Sequence, residues 1–317
     1  MVNPTSKQCA RAVLMVAPTD FEFNAETSHD NEFMHAPREP SEVVNRRAMA
    51  EFENMVALLR QNGLTVVVPE PRTSGPTTPD AVFPNNWFST EHDGTLLLYP
   101  MAPVSRRLEK RIDALEAALL AQGFAIRNVI NVGRFHETEH FLEGTGSLCI
   151  DHDRRVVFAA RSERCHTEQF ENFVALRGYK HGLLFDTLSR TGQPIYHTNV
   201  MLSIGEAFAV LCKESIVGDA QREAVVMALG PHREIVDISL AQVEGFCGNI
   251  QQVRNALGQP LIVMSQRAYD TFTADQKGRL SRHGKLLPVP LPTIERVGGG
   301  SARCMIGEIF LPRRPGA

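Results

Sequence analysis

The sequence predicts an α/β fold built from five similar units set around an axis. Three observations predict it. Five helical patterns end in a glycine, at Gly63, Gly123, Gly178, Gly230 and Gly284, where a helix C-terminus favours a left-handed residue. A short apolar run follows each glycine, at 64–68, 124–126, 183–185, 235–238 and 286–287. Extended pairs precede most helices, so a unit of extended pair, helix and strand recurs about every 50 to 60 residues. One such unit cannot bury its own sheet face. Five closing around an axis bury one face of each small sheet against its helix. A doubly wound parallel sheet fits less well, because most helices are separated by two strand candidates.

The elements follow in order. Residues 13–17 read as the first strand. Residues 19–40 are polar, carry aromatics such as Phe23 and lack a period. A loop that long is usually functional or disordered, and this one reads as a substrate loop or lid. The first helix places Val44, Ala48, Phe52, Met55 and Leu59 on one face. Residues 69–79 form a turn-rich connector, and 82–88 with 96–99 form the next extended pair. The second helix carries Leu108, Ile112, Leu115 and Leu119, entered through Ser105 as N-cap. The pairs 147–150 with 156–159 and 200–204 with 208–211 precede helices bearing Phe170, Phe173 and Val174, and Asp219 to Leu229. Strands at 250–253 and 261–264 and a weaker helix from about Ser265 to His283 make the fifth unit, leaving 305–311 as a last strand. The expectation is a single domain over 1–317.

Composition narrows the function. With 317 residues, 43% hydrophobic and 22% charged, and a net charge of -3, the chain reads as an ordinary globular protein with no basic excess for nucleic acid. The apolar run at 13–17 is too short for a signal core or a membrane span. Six cysteines lie far apart with no CxxC pair, which argues for free thiols in a reducing cytoplasm.

The chemistry starts at Gly298-Gly299-Gly300-Ser301-Ala302-Arg303-Cys304. A cysteine at the mouth of a glycine-rich turn, beside a cation that favours thiolate, is a candidate nucleophile. One polar position recurs at about the repeat period: Asn86, Glu143, His197, Asn249 and Cys304, about 50 to 57 residues apart. Equivalent positions in a ring of units point at one axis, so a carboxylate, an imidazole and a thiol would meet there. A thiolate attacks a planar carbon, a histidine protonates the leaving nitrogen and then activates water, and a carboxylate positions the histidine or binds substrate N–H groups.

Other patterns are decoys. His136-Glu137-Thr138-Glu139-His140 matches HExxH, which binds zinc only on a helix. Here Gly133 and Gly144 flank it closely, and it reads as a polar loop with no metal. The turns at 144–146 and 298–300 are not followed by a Lys-Ser/Thr helix start, which argues against a nucleotide site.

The segments Asp80-Ala-Val-Phe-Pro-Asn85-Asn86-Trp87, Leu142-Glu-Gly-Thr-Gly146, His197-Thr-Asn199 and the terminal Gly-Gly run to Cys304 occur in an order that resembles the pentein superfamily of guanidino-modifying enzymes. These include arginine deiminases, dimethylarginine hydrolases and amidinotransferases, and the chain is most similar to the amidinotransferase-like hydrolases linked to citrulline use. The resemblance spans nearly the whole chain. It implies the pentein fold, a five-bladed α/β propeller of pseudo-symmetric ββαβ repeats, with a central site and no cofactor. It implies Cys304 as nucleophile, His197 as general acid/base and Glu143 as the carboxylate. Asp80, Asn85, Asn86, Asn199, Phe23 and Arg303 would touch substrate, and Arg164, with Arg161 as rival, would hold its carboxylate. Expected partners are a small-molecule amino acid and, at most, a second copy in a homodimer, with no nucleic acid and no membrane. Asn86 and Asn199 stand where many deiminases carry aspartates for a cationic guanidinium. A neutral ureido substrate is therefore expected, with citrulline cleaved to ornithine, carbon dioxide and ammonia. An amidinotransferase, an arginine or dimethylarginine deiminase-type hydrolase and a non-catalytic propeller binder are the alternatives.

Overall fold

A computed structural model describes residues 7–133 and 139–316. Within them lie fifteen short strands: β1 (Ala12–Leu14), β2 (Thr65–Val67), β3 (Phe88–Thr90), β4 (Thr95–Leu98), β5 (Asn128–Asn131), β6 (Cys149–Asp151), β7 (Val156–Ala160), β8 (His181–Phe185), β9 (Leu202–Ile204), β10 (Phe208–Leu211), β11 (Glu234–Asp237), β12 (Gln251–Arg254), β13 (Pro260–Ser265), β14 (Lys285–Val289) and β15 (Gly307–Ile309). They form five three-stranded sheets. In every sheet the middle strand runs antiparallel to one neighbour and parallel to the other. Four sheets are local, and the fifth is assembled from both ends of the chain, with Ala12 opposite Ile309 and Leu14 opposite Gly307.

A helix crosses between the parallel strands of each sheet, because a parallel pair needs a long connection. The first four are α1 (Ser41–Gln61), α2 (Ile112–Ala121), α3 (Thr167–Arg177) and α4 (Asp219–Leu229). The expected face of α1 is buried: Val44, Ala48, Phe52, Met55 and Leu59. So are Leu115 and Leu119 of α2 and Phe170 and Phe173 of α3. In the fifth unit the helix breaks at Phe272 into α5 (Gln266–Thr271) and α6 (Ala274–Ser281). Ser265 and Thr273 each cap a new start by accepting a backbone N–H.

Several boundaries differ from the sequence expectation. Gly63, Gly123 and Gly178 are left-handed, but Gly230 has φ -63° and continues the helical turn. Gly284 is also not left-handed; a Cβ there would lie 2.9 Å from the Pro260 carbonyl oxygen, so close approach explains the glycine. Ser105 does not cap α2. It sits inside a separate one-turn helix at Val104–Arg107, and Arg111 precedes α2. The run 124–126 is not a strand: β5 starts at Asn128, and Phe124 makes only an isolated bridge to Arg313.

The largest difference concerns the entry to the first strands. A tight turn precedes each of them, and the strands expected at 82–88, 147–150, 200–204 and 305–311 overlap it, whereas the one expected at 250–253 is found at Gln251–Arg254. The turns are Pro84–Asn86, Gly144–Ser147, Thr198–Val200, 245–248 and 302–305. Their residues are buried, and apolar neighbours such as Phe83, Leu148, Val200 and Met305 let the expected strands run into them.

Candidate active site

Those turns carry or directly adjoin the polar residues singled out above, but at unequal phase. Asn86 and Asn249 stand two residues before their strands, Cys304 three, His197 five and Glu143 six. The residues converge, and strict repeat equivalence is not the reason.

The central element is a buried chain of charge. His197 Nε2 lies 2.8 Å from Glu143 Oε2, and Arg164 Nη1 lies 3.6 Å from the same oxygen. The Ala102 N–H donates to Glu143 Oε1 at 3.0 Å. Burial alone would raise the Glu143 pKa, but Arg164, the His197 bond and Arg106 hold it at about 2. Burial also outweighs the Glu143 bond at His197 and lowers that imidazole's pKa, so it is neutral near pH 7. With Nε2–H committed to the carboxylate, Nδ1 is left as the proton acceptor.

His197, Cys304, Asp80, Asn86, Arg106 and Arg164 line one enclosed cavity, with Phe83 and Tyr196 as aromatic walls. Its water-centre volume is about 10 Å³, room for about one water. The loop at 19–40 closes it. Thr27 and Asn31 reach the cavity, Asn24 and Thr27 donate to Asp80 Oδ2 at 2.8 and 2.9 Å, and Asp30 pairs with Arg164.

Arg164 rather than Arg161 belongs here. Arg161 is on the surface, paired with Asp186. Sequence reasoning passed over Arg106, whose guanidinium is buried and held by Glu109 at 2.9 and 3.0 Å. Its Nη1 donates to Asn86 Oδ1 at 2.8 Å. A carboxylate three residues on was its only signal, and surface pairs share that spacing.

Asn199 sits beside the thiol, its Nδ2 3.7 Å from Cys304 Sγ. Three residues expected at the substrate do not line this cavity. Phe23 packs against the core cluster that includes α1, because that is where its large apolar face is covered. Asn85 is buried outside the cavity wall, its side-chain nitrogen and oxygen unpartnered. Arg303 does not line the thiol's cavity; it lines a second cavity with Glu308, His152 and Gln251. There burial pushes the Glu308 carboxyl up to about 7 against the pull of Arg303. The residues 136–138 of the HExxH motif lie outside the described residues. Among the described residues no cluster of three or more His, Cys, Asp or Glu side chains is placed to hold a metal, and no helix is long and apolar enough to cross a membrane.

A sequence model of the family described as N,N dimethylarginine dimethylhydrolase, eukaryotic, matches residues 17–311. The chain belongs to this family. It is thereby a member of the pentein superfamily and a homologue of hydrolases acting on guanidino carbon–nitrogen bonds. No curated protein matches it. Among solved structures it is similar to the N-terminal domain of ArgZ, an arginine dihydrolase of cyanobacteria, at 15% identity and TM-score 0.70, covering 94% of this chain and 97% of that one. It is also similar to AgrE bound to ornithine and NAD+, at 16% identity and TM-score 0.68, covering 96% of this chain and 40% of that one. A dimethylarginine dimethylaminohydrolase carrying an adduct with S-methyl-L-thiocitrulline matches at 12% identity and TM-score 0.65, over 95% of this chain and 100% of that one. At these identities the structures speak for the fold.

Proposed function

We propose that this member of the family hydrolyses a ureido amino acid, citrulline being the best fit, to ornithine, carbon dioxide and ammonia through a covalent intermediate on Cys304. One observation carries the choice of substrate. Asn86 Oδ1 is occupied by Arg106, so the group left free is the Nδ2 donor, and it is unpartnered. A donor fits a ureido carbonyl oxygen, whereas a guanidinium presents only N–H groups. Asp80 Oδ1, also unpartnered, can accept from the ureido NH2.

The Cys304 thiolate attacks the ureido carbon while Asn86 holds the oxygen where charge develops. His197, having taken the thiol proton, returns it to the departing nitrogen of ornithine, and a thiocarbamate remains on sulfur. Water, deprotonated by His197, attacks that carbon and expels the thiolate. The carbamic acid released falls apart to carbon dioxide and ammonia. One water is consumed and no redox step is needed. The loop at 19–40 must move to admit substrate, because the cavity has room for only about one water.

The second reading is an arginine hydrolase, favoured by the free carboxylate oxygen of Asp80, which suits a guanidinium. The test compares kcat/KM for citrulline and arginine on one preparation, with glycine added to detect amidino transfer. Citrulline should be preferred, Cys304→Ser should abolish turnover, and Asn86→Asp should move the ratio toward arginine. A clear preference of the parent enzyme for arginine or a methylated arginine would overturn the citrulline assignment.

The five sheets are inferred to close as a five-bladed propeller in a single domain. The β15–β1 pairing supports this, as do the first strands, which pack β15 on β3, β6 on β9 and β9 on β12. The Gln251 side chain joins β12 to Glu308 of β15 at 3.0 Å.

A further inference from the structure

Asn249 holds a place in the turn before β12 that the mechanism above leaves unused. Its side chain is fully buried. Oδ1 accepts the backbone N–H of Arg303 at 3.1 Å, and a backbone amide can only donate. That bond fixes which end of the carboxamide is which. The two Nδ2 hydrogens then point at two acceptors: the Asn199 carbonyl oxygen at 3.1 Å and Cys304 Sγ at 3.2 Å. Asn199 Nδ2 stands further off, at 3.7 Å from the sulfur. The guanidinium of the adjacent Arg303 lines the other cavity.

We propose that Asn249 stabilises the Cys304 thiolate, supplying through a fixed amide N–H what the neighbouring cation does not. A thiolate accepts a hydrogen bond far better than a thiol, so the donor favours ionisation. The same side chain anchors the turn that presents the sulfur, through the Arg303 N–H. The proposal rests on Cys304 as nucleophile, but its test reads thiol ionisation and not turnover, so the two can fail separately.

The experiment is iodoacetamide alkylation of Cys304 against pH, followed by peptide mass in the full-length protein. All six cysteines are buried, burial pushes Cys149 and Cys165 up to about 12, and the peptide mass assigns the adduct to Cys304. Asn249→Asp keeps an acceptor for the Arg303 N–H but turns an oxygen toward the sulfur. Its alkylation midpoint should rise by at least about one pH unit, with about a tenfold slower reaction near neutral pH. Asn249→Ala should shift it the same way. A midpoint unchanged in a folded variant overturns the proposal. Should neither variant fold, the wild-type protein decides. The Asn249 side-chain N–H resonance should move through the same pH midpoint as Cys304 ionises, and stay still in Cys304→Ser. A resonance blind to the thiol overturns the proposal equally.

Discussion

Around the candidate nucleophile, carboxylate and imidazole divide the work by environment. Glu143 is held ionised by Arg164 and His197, and His197 is held neutral by burial. In the proposed mechanism the carboxylate therefore fixes the tautomer and stabilises the imidazolium that forms when the thiol proton arrives. Removing its charge by Glu143→Gln withdraws the influence that raises the His197 pKa and leaves burial to lower it further. The acid limb of kcat/KM should move to lower pH, since the imidazole resists protonation more strongly. The rate should fall on the order of 10²-fold, because the imidazolium that protonates the leaving nitrogen loses its counter-charge. A pH–rate profile checks both signs. A limb that moved upward, or a rate left intact, would show that Glu143 does not act through His197. At this scale the meeting of Cys304, His197 and Glu143 was legible in the sequence, because glycine-rich flanks and rough spacing marked them. The direction of Arg303 could not. Which side of a turn a side chain faces is decided by what packs against it.

The turns before the first strands decide where the chemistry sits, and they were the least legible elements. Phe83, Leu148, Val200 and Met305 are buried in or beside them, and a short apolar run cannot be told from strand by periodicity. The helices were legible because their apolar faces are longer than any accident of composition, as in α1. One glycine shows how tightly the turns are fitted together. A Cβ at Gly146 would lie 2.1 Å from Asn86 Nδ2 and 2.9 Å from His197 Nδ1. Gly146→Ala should therefore push apart the Asn86 amide and the His197 nitrogen, to which the proposed mechanism assigns the carbonyl oxygen and the proton. A misplacement of about 1 Å costs on the order of 10²-fold in kcat/KM, with about 1–3 kcal/mol of overpacking strain. Gly192→Ala is the control. It carries a left-handed strain of about 1–2 kcal/mol, at φ +81° with nothing within 4 Å. It should lower the melting temperature and leave kcat/KM within twofold. If both variants lost activity in step with stability, the fitted-turn account would be wrong.

At the scale of the whole molecule, the repeat explains how residues two hundred positions apart come to share a cavity. Asp80 from the stretch before β3 and Cys304 before β15 meet because each unit delivers its entry turn to the same end. The repeat was visible in the sequence as a period of five units, but the extended pair of the unit around α1 was hidden. β15 and β1 look like unrelated terminal strands until they pair, with Ala12 opposite Ile309. A pattern split between two ends has no period of its own to detect. The proposed closed ring has no privileged starting point, so the chain should tolerate a new one. A circular permutant can join the ends beside the β1–β15 pair with a short flexible linker and open the chain at Ser74–Gly75. That break lies in an exposed connector between β2 and β3, at the boundary of two units, and cuts neither a sheet nor a cavity-lining turn. Surface breaks of this kind are the ones chains accept. The permutant should unfold in one cooperative transition within about 2 kcal/mol of the parent, with kcat/KM within a few-fold. Deleting residues 307–317 instead strips β15 from its sheet, leaves the β1 edge unpaired and removes the Glu308 carboxylate from the second cavity. That variant should lose the cooperative transition. A permutant that failed to fold while the truncation melted like the parent would mean that closure of the fifth sheet does not hold the molecule together.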